Sequence, residues 1–320
     1  MAKFFDVICI GAALVDMVAK VDREPLDDDE VFVPELHLFS GGAAANTAYA
    51  CAKLGLKVAF IGKLGYKDQF KDKIINEFKE VSLDTSLIRY SKDHGTGLAY
   101  VALKPNGERR IYAYSGAANT LTPNDIKSED IIRAKTIFLS SLKNLEPFKR
   151  AAEVAKKNNI PVILNPGMLI IAHGFNNIKD FLVNIDILIL SKREFRLLLH
   201  LGDVELSKQV IEEKTKNIFK LGIKIIIITM GKEGAMVLNS EKSELVKPIE
   251  VAEVVDTTGA GDAFSAGFIY GFIRNLSFKF KELKSNVIFG NIIAGNCIQK
   301  LGARNGILTT DELEQKSFND

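Results

Sequence analysis

Asp256-Thr257-Thr258-Gly259-Ala260-Gly261-Asp262-Ala263-Phe264-Ser265-Ala266-Gly267-Phe268 follows the apolar run Val251–Val255 with a glycine-rich turn and then opens a helix that is apolar on almost every side. A helix apolar all round has to be buried, so other elements must surround it. Outward from this stretch, short β-rich apolar runs alternate with longer helical patterns. Strands are predicted at Phe5–Ile10, Lys57–Ile61, Thr136–Leu139, Pro161–Leu164, Asp186–Leu190 and Lys224–Thr229. Helices are predicted at Asn46–Leu54, Lys67–Lys79, Glu146–Lys157, Leu206–Leu221, Ala263–Ile273 and Leu283–Lys300. Strands apolar on both faces, each followed by a helix, make a mostly parallel sheet covered on both sides. The expected class is α/β. In such folds ligands sit at the carboxyl ends of strands, so the motif loops are expected to follow strands.

Two stretches break the rhythm. Val31–Phe39 alternates with period two, as does Leu98–Lys104, which runs through Pro105-Asn106-Gly107 into Arg109–Tyr114. The second is a hairpin pattern with turn residues at its tip. Both stretches fit a small antiparallel flap, and both also fit an extension of the core sheet. The organisation expected is one domain over residues 1–320, with lid strands inserted at about 16–40 and 95–115. Arg109 and Arg110 alternate on the hairpin strand, so one can point inward toward an acidic substrate group, or both can be solvated edge charges.

Composition excludes several classes. The 320 residues carry 42 Lys+Arg against 40 Asp+Glu, a formal charge of +2, and 47% are apolar. No basic block is dense enough to track phosphates, which argues against nucleic acid. Cys9, Cys51 and Cys297 form no CxxC pair, and the four histidines include no HExxH, so neither a disulfide framework nor a zinc site is expected. The run Val7–Gly11 reads as a buried strand rather than an export signal, because Asp6 and Asp16 bracket the apolar segment. No apolar stretch approaches the roughly 20 residues that span a bilayer. A cytoplasmic protein without membrane partners is the expectation.

Gly259-Ala260-Gly261 at a helix start removes side chains and aims unpaired N–H groups outward at the positive end of the dipole. That suits a transferring phosphoryl group, and it also suits a plain capping loop with small residues for close packing. Asp262 lies in the first turn, where the dipole favours its ionised form; a carboxylate there can orient a hydroxyl and accept its proton. Gly41-Gly42-Ala43-Ala44-Ala45-Asn46 reads as a helix start, with Asn46 as N-cap and Gly55 closing the helix. Alternatively, Gly41 and Gly42 let a polyhydroxyl ligand approach the backbone while Asn46 and Asp16 bond its hydroxyls. Thr229-Met230-Gly231-Lys232-Glu233-Gly234 follows the apolar run Ile225–Ile228 and fits either a nucleotide-phosphate loop or a strand-to-strand turn. Glu194, after the strand ending at Leu190, either complements a helix dipole or holds Mg²⁺ through water. The chain has no GxxxxGK[ST], no GxGxxG after the first strand and no GxSxG.

The two glycine loops, about 210 residues apart on an alternating β/α chain, resemble the N- and C-terminal signatures of the ribokinase-like (PfkB) carbohydrate kinases. Gly41-Gly42 through Asn46 to Gly65 matches the first and Asp256–Phe268 the second. Thr96-Gly97, Gly116-Ala117-Ala118-Asn119, Asn165-Pro166, Thr229/Gly231/Gly234 and Gly302-Ala303 are lesser matches. The resemblance covers essentially the whole chain and implies a three-layer αβα fold with a small β lid. It implies ATP- and Mg²⁺-dependent phosphorylation of a primary hydroxyl. Asp262 would be the base and Gly259, Ala260 and Gly261 the anion hole. Asp16, Gly41, Gly42 and Asn46 would hold the sugar, and Thr229, Gly231, Gly234 and Asn291 the ATP, with Glu194 serving Mg²⁺. Many members bind a monovalent cation such as K⁺; Asp256, Thr258, Cys297, Lys300 and Gly302 would surround it, mostly through carbonyls.

Two departures stand out. The family's Asn-x-x-Glu reads Ser191-Lys192-Arg193-Glu194, and Ser140-Ser141-Leu142-Lys143 lacks the glutamate that ribokinases place against ribose. The wording of the first signature, Asn165-Pro166-Gly167 and Lys192-Arg193-Glu194-Phe195 are similar to archaeal members that phosphorylate nucleosides. The expected activity is therefore a kinase of a furanose-type sugar or a nucleoside. The alternatives are a nucleoside kinase specifically and a catalytically weak nucleotide-binding regulator on the same scaffold. A homodimer through the lid is expected, because an isolated two-stranded flap is poorly stable.

Overall fold

The computed structural model describes residues 3–105 and 108–317. Its central sheet has, among the described residues, eight strands in the spatial order Ser243–Val246, Ala235–Leu238, Ile225–Thr229, Ile187–Ser191, Val162–Asn165, Ala134–Ser140, Phe5–Gly11 and Val58–Ile61. The six strands from Ile225–Thr229 to Val58–Ile61 are parallel, and the two at the other edge are antiparallel. All six strands expected from the sequence are present. The two edge strands, Ala235–Leu238 and Ser243–Val246, were not among them.

Alternate residues of each strand enter opposite cores, which is what makes three layers. Ile8, Ile10, Ile137, Leu139, Ile226 and Ile228 face one core. Val7, Cys9, Phe138, Ile225 and Ile227 face the other. Every residue of Ile225–Ile228 is at most 1% exposed, and burying each isoleucine contributes roughly 1.5–3 kcal/mol. The first core is roofed by the helices Glu146–Lys157, Phe175–Leu182, Lys192–Leu198 and Lys208–Phe219. The second is covered by Ala43–Lys53, Gln69–Glu80, Ala260–Asn275 and Phe280–Cys297. The last two pack backbone against backbone. A Cβ on Gly267 would collide with the Phe289 carbonyl, and one on Gly290 would sit 2.8 Å from the Phe264 ring.

A second sheet of four strands, in the order Glu35–Gly41, Leu14–Lys20, Gly97–Leu103 and Arg109–Tyr114, stands beside the first. Its outer pairs are antiparallel, but Leu14–Lys20 and Gly97–Leu103 run parallel. The antiparallel pairs are those expected of the flap; the central pair is parallel because both of its strands leave the body in the same direction. Residues 31–34 lie outside the strand that Val31–Phe39 suggested. Asp16 lies within a strand, opposite Phe39. Of the expected hairpin tip, Asn106 and Gly107 lie outside the described residues, and of Arg109 only the backbone is described. Arg110 pairs with Glu24 at 3.0 Å on the exposed edge, so it does not point inward.

The run Val251–Val255 is not a strand, contrary to the expectation that motif loops follow strands. The Val255 and Asp256 amides both donate to the Ile298 carbonyl at a helix end. Val254 and Val255 remain 54% and 51% exposed, lining a cavity instead of a sheet.

Candidate active site

The Asp256 turn is tied by its own carboxylate. Oδ1 accepts from the Thr258 amide (2.9 Å) and hydroxyl (2.7 Å), and Oδ2 accepts from the Gly302 amide (2.9 Å). Gly259 then caps the following helix at φ 77°, a left-handed conformation that glycine adopts without steric cost. A Cβ there would also collide with Ala303. Ala260 is the first helical residue, three earlier than expected. Gly261 is exposed, and a Cβ on it would meet nothing within 4 Å. The helix start is therefore anchored on one side and open on the other.

The second signature reaches the same point from the other end of the chain. The helix Ala43–Lys53 is capped by Gly42 at φ 94°, where a Cβ would collide with the Ala12 carbonyl. Asn46 is not the N-cap, as the sequence suggested; it lies inside the helix, and its side chain is used elsewhere. Its Nδ2 donates to Asp262 Oδ2 at 2.9 Å, and the Thr47 hydroxyl donates to the Asp262 carbonyl at 3.3 Å. Arg304, which the sequence reading passed over, completes the cluster. Its Nε donates to Asn46 Oδ1 at 3.0 Å and its Nη1 to Glu77 Oε2 at 2.8 Å, at 7% exposure. An isolated arginine in the run Gly302–Gly306 carries no spacing signal; only its place in the fold reveals it.

Asp262 does not behave as a helix-start carboxylate ordinarily would. Burial disfavours its charged form and pushes it from 3.8 up to about 7. The Asn46 hydrogen bond and the Arg304 charge oppose that rise, while Glu194 and Asp16 add to it. The helix dipole favours the ionised form, but that effect is worth at most about 2 kcal/mol, and burial acts in the opposite direction.

A cavity of about 1030 Å³ lies between the small sheet and the segments 254–258 and 301–303. Asp16, Phe39, Val18, Val101 and Ile111 line it from the sheet. The Asp16 carboxylate occupies the space where a Gly41 side chain would project, so this glycine is needed for close approach. Asp16, Gly41, Gly42 and Asn46 are thus gathered along one path from the small sheet to Asp262.

The expected nucleotide residues gather at the far edge of the sheet. Thr229 ends its strand opposite Ser191. Gly231 and Gly234 then form the turn into the antiparallel strand Ala235–Leu238, with φ 60° and 96°. A Gly234 side chain would collide with the Val246 carbonyl. Asn291 donates to that carbonyl (3.3 Å) and to the Lys247 carbonyl (2.8 Å), so its amide braces the loop. Glu194 is 8% exposed and closes a capping box: its Oε2 accepts from the Ser191 amide at 2.7 Å, and its own amide donates to Ser191 Oγ at 3.2 Å. Serine in place of the family asparagine is thereby a cap.

Among the residues expected around a monovalent cation, Asp256, Thr258, Gly302 and Cys297 come together. The Cys297 thiol lies 3.8 Å from the Thr258 carbonyl oxygen and 3.5 Å from that of Ala303. Burial pushes that thiol up to about 12, so it is neutral. The Lys300 amide donates to the Cys297 carbonyl at 3.3 Å, while the residue also lines a smaller cavity with Lys53 and Glu312. Among the described residues no three His, Cys, Asp or Glu side chains cluster to hold a metal, and no helix is long and apolar enough to cross a membrane.

Comparison with known proteins bears on the family and the fold. The profile described as "pfkB family carbohydrate kinase" matches residues 5–310. Ribokinase of Staphylococcus aureus (strain COL) is 30% identical over 312 residues, covering 97% of this chain and 98% of that protein. A 5-dehydro-2-deoxygluconokinase of Clostridium beijerinckii is 32% identical over 86% of this chain and 83% of its own. Among solved structures, Arabidopsis thaliana ribokinase complexed with ribose and ATP superimposes with a TM-score of 0.86 at 25% identity, covering 98% of each chain. The Methanocaldococcus jannaschii nucleoside kinase shares the fold at a TM-score of 0.85 and 21% identity over the full length of both. With the ribokinase-like α/β fold, both signature loops and a family match over nearly its whole length, the chain belongs to the pfkB family of carbohydrate kinases, phosphotransferases that act on a hydroxyl group.

Proposed function

We propose that this kinase transfers the γ-phosphate of ATP to the primary hydroxyl of a furanose-type sugar or nucleoside, with Asp262 as base. The observation that carries the reading is the convergence of Asn46, Arg304 and Asp262 beside the open Gly261 backbone. As the substrate O–H bond breaks and its oxygen bonds the γ-phosphorus, the proton passes to Asp262 and the bond to the bridging oxygen of ADP breaks. A carboxyl near 7 is half ionised at neutral pH, a good match for a proton acceptor. The N–H groups at Gly259 and Gly261 would meet the charge on the transferring phosphoryl, joined by that of Ala260 once it gives up its 3.3 Å hydrogen bond to the Thr257 carbonyl.

Asp16, Gly41, Gly42 and Asn46 would orient the sugar hydroxyls, and Thr229, Gly231, Gly234 and Asn291 would shape the ATP site. Glu194 fits a water-mediated Mg²⁺ role, because its carboxylate is held at a helix start and its charge is felt at Asp262. A bound Mg²⁺ would neutralise phosphate charge, taking most of its ligands from phosphate and water. The carbonyls around Cys297 fit a K⁺ site, with Asp256 fixing the turn that carries Thr258. The small sheet, as a lid inserted into one domain, would exclude water over the substrate.

A nucleoside acceptor is favoured by one observation: the cavity is large, and Val18, Phe39, Val101 and Ile111 give it an apolar wall suited to a base. The test is ADP release from MgATP across pentoses, hexoses, sugar acids and nucleosides, with and without K⁺. Turnover that Asp262→Asn lowers at least a thousandfold supports the reading. ATP binding without turnover on any acceptor would favour a regulatory protein instead, and unchanged turnover in Asp262→Asn would remove the base assignment.

A second proposal concerns assembly. Leu38, Met17, Tyr100 and Tyr112 form one row across the face of the small sheet turned away from the cavity. Tyr112 is 71% exposed, and we propose that this row is the face of a homodimer.

A further inference from the structure

We infer that Arg304 is a positioning residue, holding the Asn46 amide in the one orientation that donates to Asp262 and so leaving Asp262 Oδ1 as the oxygen that takes the proton. This rests on the proposed role of Asp262 and extends it. The argument starts from what each group is able to do. An arginine side chain has donors only, whereas an asparagine amide has one donating and one accepting end that rotate into nearly the same space. Arg304 Nε lies 3.0 Å from Asn46 Oδ1, so that end must accept. The donating end is then forced onto Asp262 Oδ2, 2.9 Å away. Asp262 Oδ1 accepts no hydrogen bond among the described residues.

The arginine is itself over-determined. Its Nη1 pairs with Glu77 at 2.8 Å, and Glu77 is braced by Lys73 at 2.8 Å. Its planar face lies over the rings of Tyr49, at 5.0 Å, and Phe78, at 5.5 Å. Nη2 is buried with no hydrogen-bond partner among the described residues. A buried charge with one unsatisfied nitrogen is a poor device for stability, since apolar side chains of like volume often serve as well or better. It is a good device for fixing an amide.

Without the arginine, Asn46 is free to turn its oxygen toward Asp262. A carbonyl there repels a carboxylate and accepts from a protonated carboxyl, so the acid form is favoured. The charged groups facing Asp262 are Arg304, Glu194 and Asp16, with the Cys297 thiol uncharged nearby. Arg304 alone among them favours the ionised carboxyl.

The test compares Arg304→Met, which keeps the volume and loses the donor, with Arg304→Lys, which keeps a donor and a charge. Two readouts are used: steady-state kinetics from pH 5.5 to 9, and a ¹³C titration of the Asp262 carboxyl without substrate, assigned by its loss in Asp262→Asn. In Arg304→Met, kcat at pH 7 should fall about 10- to 100-fold while both KM values move less than about threefold. The carboxyl midpoint should rise by about one pH unit, and Arg304→Lys should recover most of both effects. If Arg304→Met does not fold, Arg304→Leu carries the same comparison, because it too removes the donor to Asn46. A lower melting temperature with unshifted midpoint and unchanged kcat per folded molecule would overturn the inference. A wild-type protein with no kinase turnover, but with a midpoint that moves in Met and not in Lys, would refute the proposed function and leave the positioning link standing.

Discussion

Replacing Asp262 by asparagine should stabilise the protein while it stops turnover. In the folded chain the carboxyl is pushed from 3.8 to about 7, chiefly by burial. A carboxyl with a raised folded value binds a proton more tightly in the native than in the unfolded state. Native stability is therefore full below about pH 4, declines as pH rises through the interval from about 4 to about 7, and is constant above it. At 1.36 kcal/mol per pH unit, the ionised carboxylate costs the fold about 4 kcal/mol at pH 8 as a ceiling. Because Asp262 is only half-buried by surface, a gain of about 2–4 kcal/mol for the variant is the working figure. The new amide can turn its oxygen to Asn46 Nδ2, so the 2.9 Å hydrogen bond persists. For a chain of this size that corresponds to a rise of roughly 4–8 °C in melting temperature at pH 8. Scanning calorimetry of both proteins between pH 4.5 and 8.5 would show a gap that opens with pH. A gap that does not change with pH, or a variant less stable than wild type at pH 8, would refute the claim that burial sets this carboxyl.

Further predictions separate anchoring from chemistry. Gly261→Ala should leave the melting temperature within about 1 °C, since its Cβ meets nothing, yet cut kcat at least about 100-fold by intruding where phosphoryl charge develops. Gly259→Ala should instead lower stability by more than about 2 kcal/mol in urea unfolding, because of its φ of 77° and its contact with Ala303. Ser191→Ala breaks the capping box and should cost about 1 kcal/mol, with a raised Mg²⁺ requirement as Glu194 loosens; Ser191→Asn should retain both. Sedimentation at micromolar concentration should give a dimer that Tyr112→Glu converts to a monomer with unchanged melting temperature per chain.

How much of this was legible beforehand depends on whether the cause was local. Ile225–Ile228 announces a buried strand because each residue is β-branched and apolar, and a strand between two cores needs nothing else. Val251–Val255 holds three valines but also Ala252 and Glu253, and it donates to a helix end at Ile298, a partner 43 positions away from Val255 that no pattern in the run encodes. Gly259 and Asp262 declared themselves through spacing. The proton affinity of Asp262 did not, because it arises from how much protein closes around it. Asparagine before a helical pattern reads as a cap or as a ligand for hydroxyls; Gly42 fills the capping role and frees the amide. Arg304 was invisible because its partners, Asn46 and Glu77, are 258 and 227 residues distant.

Among the described residues the central sheet and the four-stranded sheet share no hydrogen-bond ladder, and the chain passes between them at glycines, with Gly42 at φ 94° and Gly116 at φ 53° on two of the crossings. The residues that would react hang on the large sheet and its helices, whereas much of the cavity wall hangs on the small one. Substrate preference and reactivity are therefore inherited through separate pieces of the polypeptide. Under the proposed function, changes to Val18, Val101 or Ile111 would retune which acceptor is held without disturbing Asn46, Asp262 or Arg304. A lineage built this way can change its diet by redecorating one plate while the furnace behind it stays untouched.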